Sequence, residues 1–149
     1  MTERPTIGTL ADYRRQVAIT TRWSDNDAYG HINNVTYYSF FDTAVNMRLI
    51  KSGVLDIQAS PVIGLVVETG CRYFKPLAYP VRITCGVRVA KIGNSSVRYE
   101  VGVFGGEDES AAAEGHFIHV YVSRETGRPV PLPADLRAAL ETILVPGPG

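Results

Sequence analysis

One long segment of this chain has helical periodicity, and it is mostly apolar. Over 34–52, Val35, Tyr38, Phe41, Val45 and Leu49 recur at helical spacing. Thr36, Ser39, Thr43 and Asn46 form a second, narrower stripe that carries no charge. A helix facing solvent normally places Lys and Glu there. Such a helix needs the rest of the fold wrapped around it, with its small polar stripe against a sheet or a ligand. Asn33 or Asn34 suits its N-cap and Gly53 its C-terminal stop.

The remaining segments alternate like strands. Over 13–23, Tyr13, Arg15, Val17, Ile19, Thr21 and Trp23 share one face. Four further runs follow the helix, over 62–75, 81–91, 96–104 and 111–124, punctuated by Pro76, Pro80, Gly93-Asn94 and Gly105-Gly106. A short helix is expected over 133–143. Strand, long helix, four consecutive strands and short helix imply an α+β fold with an antiparallel sheet covering the helix. The 149 residues suit one domain, expected over 12–145, between a loose arm at 1–11 and a disordered tail at 146–149.

Lys plus Arg and Asp plus Glu both number 15, so the chain as a whole has no electrostatic pull towards nucleic acid or an anionic membrane. No apolar run approaches the ~20 residues of a membrane span, and Met1 to Pro5 has no signal-peptide core. Cys71 and Cys85 sit in strand-like runs without metal-ligand spacing and read as reduced, buried thiols. A cytoplasmic location is the expectation.

The chemistry concentrates in Trp23-Ser24-Asp25-Asn26-Asp27-Ala28-Tyr29-Gly30-His31-Ile32-Asn33-Asn34, at the mouth of the long helix. A helix N-terminus offers free N–H groups and the positive end of a dipole. A carboxylate seven residues ahead, across a glycine turn, is placed to face the same point. One group to attack or activate water and one to polarise a carbonyl are the minimum parts of an acyl-transfer site. Asp25 to Gly30 also resembles the start of a calcium loop, but Tyr29 and Thr36 occupy positions that require oxygen ligands. His116 and His119 are three apart in a strand pattern and point to opposite faces, so they make no zinc pair. No metal site is expected. Asp25, Asp27, Asn33 and Asn34 also suit plain turn and cap formation. No G-x-S-x-G elbow and no glycine-rich phosphate loop is present. These exclusions leave Asp27 as the well-placed catalytic candidate.

Asp25 to Tyr38 strongly resembles the D-x-D-x-x-G-H-x-N-N-x-x-Y signature of hotdog-fold acyl-CoA thioesterases, nearest their 4-hydroxybenzoyl-CoA thioesterase-like branch. Glu68 to Tyr79, Lys91 to Val97 and Thr126 to Pro133 extend the resemblance over 13–143. It implies a hotdog fold, a five-stranded antiparallel sheet wrapped around one long central helix. It also implies hydrolysis of an acyl-CoA thioester to free acid and CoA. Asp27 would be nucleophile or general base, and the backbone N–H at Asn34 would polarise the carbonyl. Tyr29, Gly30, His31, Asn33 and Tyr37 would shape the substrate pocket. Glu68 would either face the site or be an exposed strand residue. Arg72, Arg88, Lys91 and Arg98 are candidates for the phosphates of coenzyme A, with Arg72 the first choice for substrate binding. The hairpin Gly93-Asn94-Ser95 lacks the basic cluster of some relatives, which keeps an acyl-carrier-protein thioester open as the substrate. No cofactor is implied, and a homodimer or homotetramer is. A non-catalytic hotdog module that binds such thioesters is the competing reading. A dehydratase of the same fold would use a His with an acidic partner in an arrangement not found here.

Overall fold

The computed structural model describes residues 6–145. Its elements follow the order β1 (Arg15–Ile19), α1 (Thr36–Lys51), β2 (Val62–Tyr73), β3 (Ile83–Ile92), β4 (Ser96–Gly105), β5 (Ala113–Ser123) and α2 (Ala134–Glu141). The five strands form one antiparallel sheet in the order β1-β3-β4-β5-β2. The hairpins β3–β4 and β4–β5 follow the turn signals at Gly93-Asn94 and Gly105-Gly106. β2 does not pair with β3, its successor in the chain. The segment 74–82, broken by Pro76 and Pro80, carries the chain from one side of the sheet to the other, so β2 becomes the edge beside β5. Among the described residues no helix is long and apolar enough to cross a membrane.

The strand register sorts side chains by parity. On β4, Val97, Tyr99, Val101 and Val103 face the helix, and on β5 Ala113, Phe117, His119 and Tyr121 do so. Helix α1 lies across β1, β3, β4 and β5 and buries Tyr37, Phe40, Phe41, Ala44, Val45 and Leu49 against them. Its buried face is rotated from the expected one. Val35 precedes the helix and is exposed, while Tyr37 and Phe40 point inward. Of the uncharged stripe, Ser39 and Thr43 are exposed and look away from the sheet, while Thr36 and Asn46 are half-buried.

The helix starts later than expected, at Thr36, with Val35 at its N-cap position and no side-chain cap, so Asn33 and Asn34 stand in the turn that leads into it. Asn33 accepts the Val35 N–H on Oδ1 at 3.0 Å and the Thr36 N–H on its carbonyl at 2.9 Å. At the other end Gly53 takes φ +76°, open to glycine without strain. The first strand is shorter than its alternation suggests, because Trp23–Asp25 turns into a single 3-10 turn. Part of the expected loose arm is tied down. Gly8 donates to Glu114 at 2.8 Å and Leu10 to the Glu109 carbonyl at 2.9 Å. The expectations for 1–5 and 146–149 lie outside the described residues.

Candidate active site

The loop between β1 and α1 is stapled by its own polar groups. Asp25 is 2% exposed and fully engaged. Its Oδ2 accepts the Arg22 N–H at 2.7 Å, its Oδ1 the Arg22 guanidinium at 3.0 Å, and its carbonyl the Asn33 N–H at 2.9 Å. Asn26 accepts the Tyr79 N–H on Oδ1 at 3.0 Å, and Ile32 donates to the Leu77 carbonyl at 2.7 Å. These bonds seat the loop on the 77–79 segment.

Asp27 opens the tight turn. Its N–H donates to the His31 carbonyl at 2.8 Å, and its own carbonyl accepts the Gly30 N–H at 3.1 Å. Gly30 closes the turn at φ +83°. The side chain is half held. Oδ1 accepts the N–H of Tyr29 at 2.9 Å and that of His31 at 3.4 Å, while Oδ2 has no partner among the described residues. The two carboxylates of the loop are therefore held differently. Asp25 is structural, and Asp27 keeps one oxygen free.

Asn34 stands two residues ahead of the first helical residue. Among the described residues its N–H has no acceptor, and its carbonyl accepts the Tyr73 hydroxyl at 2.8 Å. The Tyr73 ring stands edge-on to Tyr37 at 5.1 Å. His31, Asn34 and Tyr37 line one hollow of about 280 Å³, closed by Tyr73, Phe74, Lys75 and Pro76. Asp27 does not line it but is joined to it through His31. Tyr29 is 88% exposed beside the turn, and Asn33 spends its side chain on the Val35 N–H in the turn leading into the helix.

Glu68 and Arg72 are not brought to this loop. Strand parity sends both to the outer face of the sheet, away from α1. There Glu68 meets His116 Nε2 at 2.8 Å, and Arg72 lines a separate hollow of about 470 Å³ with Tyr13 and Glu114. Tyr73, of the opposite parity, is the β2 residue at the loop. Its signal was available in the alternation of Cys71, Arg72 and Tyr73. Of the basic candidates, Arg88 and Arg98 share Glu100, at 2.9 and 3.3 Å. Arg72 and Lys91 have no carboxylate partner among the described residues. Cys71 is only half-buried, short of the full burial expected. Burial still pushes its thiol up to about 11 and that of Cys85 to about 12, so both stay protonated and poorly nucleophilic at neutral pH.

A model of the thioesterase-like superfamily matches residues 21–140. The chain belongs to that family. Its sheet and helix are those of the hotdog fold. The structure superposes on the PA5185 protein from Pseudomonas aeruginosa strain PAO1 with a TM-score of 0.91 and 52% identity, over 93% of this chain and 97% of that one. A predicted thioesterase from Bacillus stearothermophilus matches with a TM-score of 0.75 and 25% identity, over 90% and 98% of the two chains. DHNA-CoA thioesterase from Staphylococcus aureus shares the fold at 22% identity, with a TM-score of 0.75 over 85% and 86%. The loop described above, from Arg22 onward, lies within the part of the chain that the superfamily model matches.

Proposed function

We propose that this chain hydrolyses acyl-CoA thioesters, with Asp27 as the catalytic carboxylate and the Asn34 N–H as the group that polarises the thioester carbonyl. The observation that carries this reading is the half-held state of Asp27. Two backbone N–H groups fix Oδ1, and Oδ2 is left free to act. Two routes use the same atom. Oδ2 attacks the carbonyl carbon, expels the CoA thiolate and leaves a mixed anhydride for water to cleave, or Oδ2 takes a proton from the water that attacks. In both, the carbonyl oxygen gains negative charge, and an N–H at the helix mouth offsets it without reorganising. Tyr29, Gly30, His31, Asn33 and Tyr37 shape the approach. Arg72 and Lys91, the two basic candidates without a carboxylate partner among the described residues, are available to phosphate groups. The long free edge of β2 supports a homodimer or a larger assembly built from it.

The test is thiol release from short, long, branched and aromatic acyl-CoAs by wild type and Asp27→Asn. Asn can accept the same two N–H bonds on its Oδ1, so the variant keeps the loop. It should lose about 10²- to 10⁴-fold in turnover with substrate binding retained. Equal turnover would remove Asp27 from the chemistry. Binding without turnover in wild type would favour the non-catalytic module, and turnover only of an acyl-carrier-protein thioester would change the carrier.

A further inference from the structure

A second hollow of about 270 Å³ lies between the C-terminal half of helix α1 and β2. Asn46 and Leu49 of α1, Ile57 of the following loop, Ile63 and Gly64 of β2, and His119 of β5 line it. Arg124 holds the loop over it, donating to the carbonyls of Ser60 at 2.7 Å and Ile57 at 2.6 Å. The walls are mostly apolar, with polar groups on Asn46, Tyr121, Arg124 and His119. Asn46 donates to Asp42, Tyr121 is bonded to Tyr99 and Arg124 is spent on the loop, which leaves His119. His119 is 4% exposed, and its Nε2 is enclosed without a hydrogen-bond partner among the described residues. The ring is packed between Phe117, stacked at 5.6 Å, and Tyr99, edge-on at 5.0 Å. Its Nδ1 faces β2 at Gly64, where an added Cβ would come to 3.0 Å. The missing side chain at Gly64 is what leaves that edge of the imidazole open to the hollow.

Nε2 is sealed among the rings, out of the hollow's reach, whereas Nδ1 on the Gly64 side borders the hollow and has no hydrogen-bond partner among the described residues. Leaving a polar group of a buried wall unpaired costs about 1–3 kcal/mol, so it marks a place for a ligand atom. We propose that this hollow receives the far end of the acyl chain, that the preferred chain carries a hydroxyl there, and that His119 is its hydrogen-bond partner and a specificity-determining residue. Nδ1 of a neutral imidazole is donor or acceptor according to the tautomer, and a hydroxyl can answer it in either. A carbonyl or an ammonium can answer only one. Burial pulls the ring down to about 4, so it is neutral at working pH. Along α1, Asn46 lies ten residues beyond Thr36, the first helical residue after Asn34, roughly 15 Å at the helical rise. The chain that spans the two points is of medium to long length. This inference rests on the thioesterase reading for the word acyl, and on the hollow alone for the hydroxyl.

The experiment uses the free acids that hydrolysis would release, so binding is read without turnover. Calorimetry compares 12-hydroxydodecanoate with dodecanoate on wild type, His119→Phe and Ile57→Trp, the last a bulky change on an exposed residue at the mouth. Wild type should bind the hydroxy acid roughly tenfold tighter. His119→Phe should bind the two alike, and Ile57→Trp should weaken both. In wild type, the ring signals of His119 should shift with the hydroxy acid and stay put with dodecanoate. That measurement, with Ile57→Trp, decides the matter even where His119→Phe does not fold. Equal affinities in wild type, a preference surviving in His119→Phe, or unmoved His119 signals would overturn the inference. Thiol release from dodecanoyl-CoA and its 12-hydroxy analogue separates the two readings. Turnover without discrimination sinks this inference and spares hydrolysis, whereas His119-dependent binding without turnover does the reverse.

Discussion

Asp25 and Asp27 have the same side chain two positions apart, and their surroundings divide them. A carboxylate that accepts from a backbone N–H and a guanidinium while 2% exposed holds structure together. One with an oxygen to spare has capacity for chemistry. The histidines divide in the same way. His116 reaches Glu68 on the outer face, as the parity argument requires, while His119 is enclosed by aromatic rings. Enclosure gives His119 a measurable signature. Burial disfavours its protonated form and holds it at about 4, below the ordinary 6.5, although the Asp42 carboxylate on α1 pulls the other way. The unfolded chain takes up this proton at its ordinary value and the native state refuses it until about pH 4. Stability from this residue is therefore complete above pH 6.5, falls as pH drops towards 4, and levels below. At about 1.4 kcal/mol per unit the ceiling is about 3 kcal/mol. Urea unfolding of wild type and His119→Phe at pH 7, 5.5 and 4.5 should show wild type losing more on acidification. Parallel losses would mean that water reaches the ring.

At the scale of elements, periodicity located the helices and strands within a few residues, because burial imposes the period directly. It did not reveal that β2 sits beside β5. Alternation reports which face a side chain takes and says nothing about the neighbouring strand. The same parity was readable for Glu68 and Arg72, yet which face meets the loop depends on where α1 lies across the sheet. Helix burial was displaced for a related reason. Tyr37 and Phe40 turn inward because the sheet approaches that side, and propensity carries no such information. The loop was the most legible part, since turn, cap and carboxylate occupy consecutive positions. The seat of α1 on β5 shows how tightly this contact is specified. Gly115 lies under Phe41, and a Cβ there would come within 2.3 Å of that ring and 2.5 Å of the Gly70 carbonyl. Neither the ring, 0% exposed, nor the backbone can give way easily. Gly115→Ala should cost about 2–3 kcal/mol, read as a lower urea midpoint at unchanged slope. An unchanged midpoint would show that α1 can lift from the sheet.

The two edges of the sheet present opposite faces to solvent. β1 is five residues long, with Arg14, Arg15 and Gln16 exposed around it, the usual defence of a free edge. β2 is twelve residues long, and Leu65, Val66 and Val67 are exposed, at 47%, 47% and 61%. Ser39 and Thr43 of the uncharged stripe of α1 also look outward. A long apolar edge left bare is an aggregation hazard, and a second copy of the same edge would cover it with matched hydrogen bonds and matched side chains. Such a pairing would also account for the missing charge at Ser39 and Thr43, which periodicity could register but not explain. A stable interface buries about 800 Å² on each partner, so the strand and these helix residues would have to share one contact. Val67, the residue in the bulge between Val66 and Glu68, faces it most openly. Sedimentation should find wild type as a dimer or a multiple of one. Val67→Lys should sediment as a single chain, because each copy would carry an unpaired ammonium into an apolar contact at a cost of several kcal/mol. Circular dichroism on the same sample should show the native fold. A Val67→Lys protein that sediments with wild type would place the contact elsewhere on the surface.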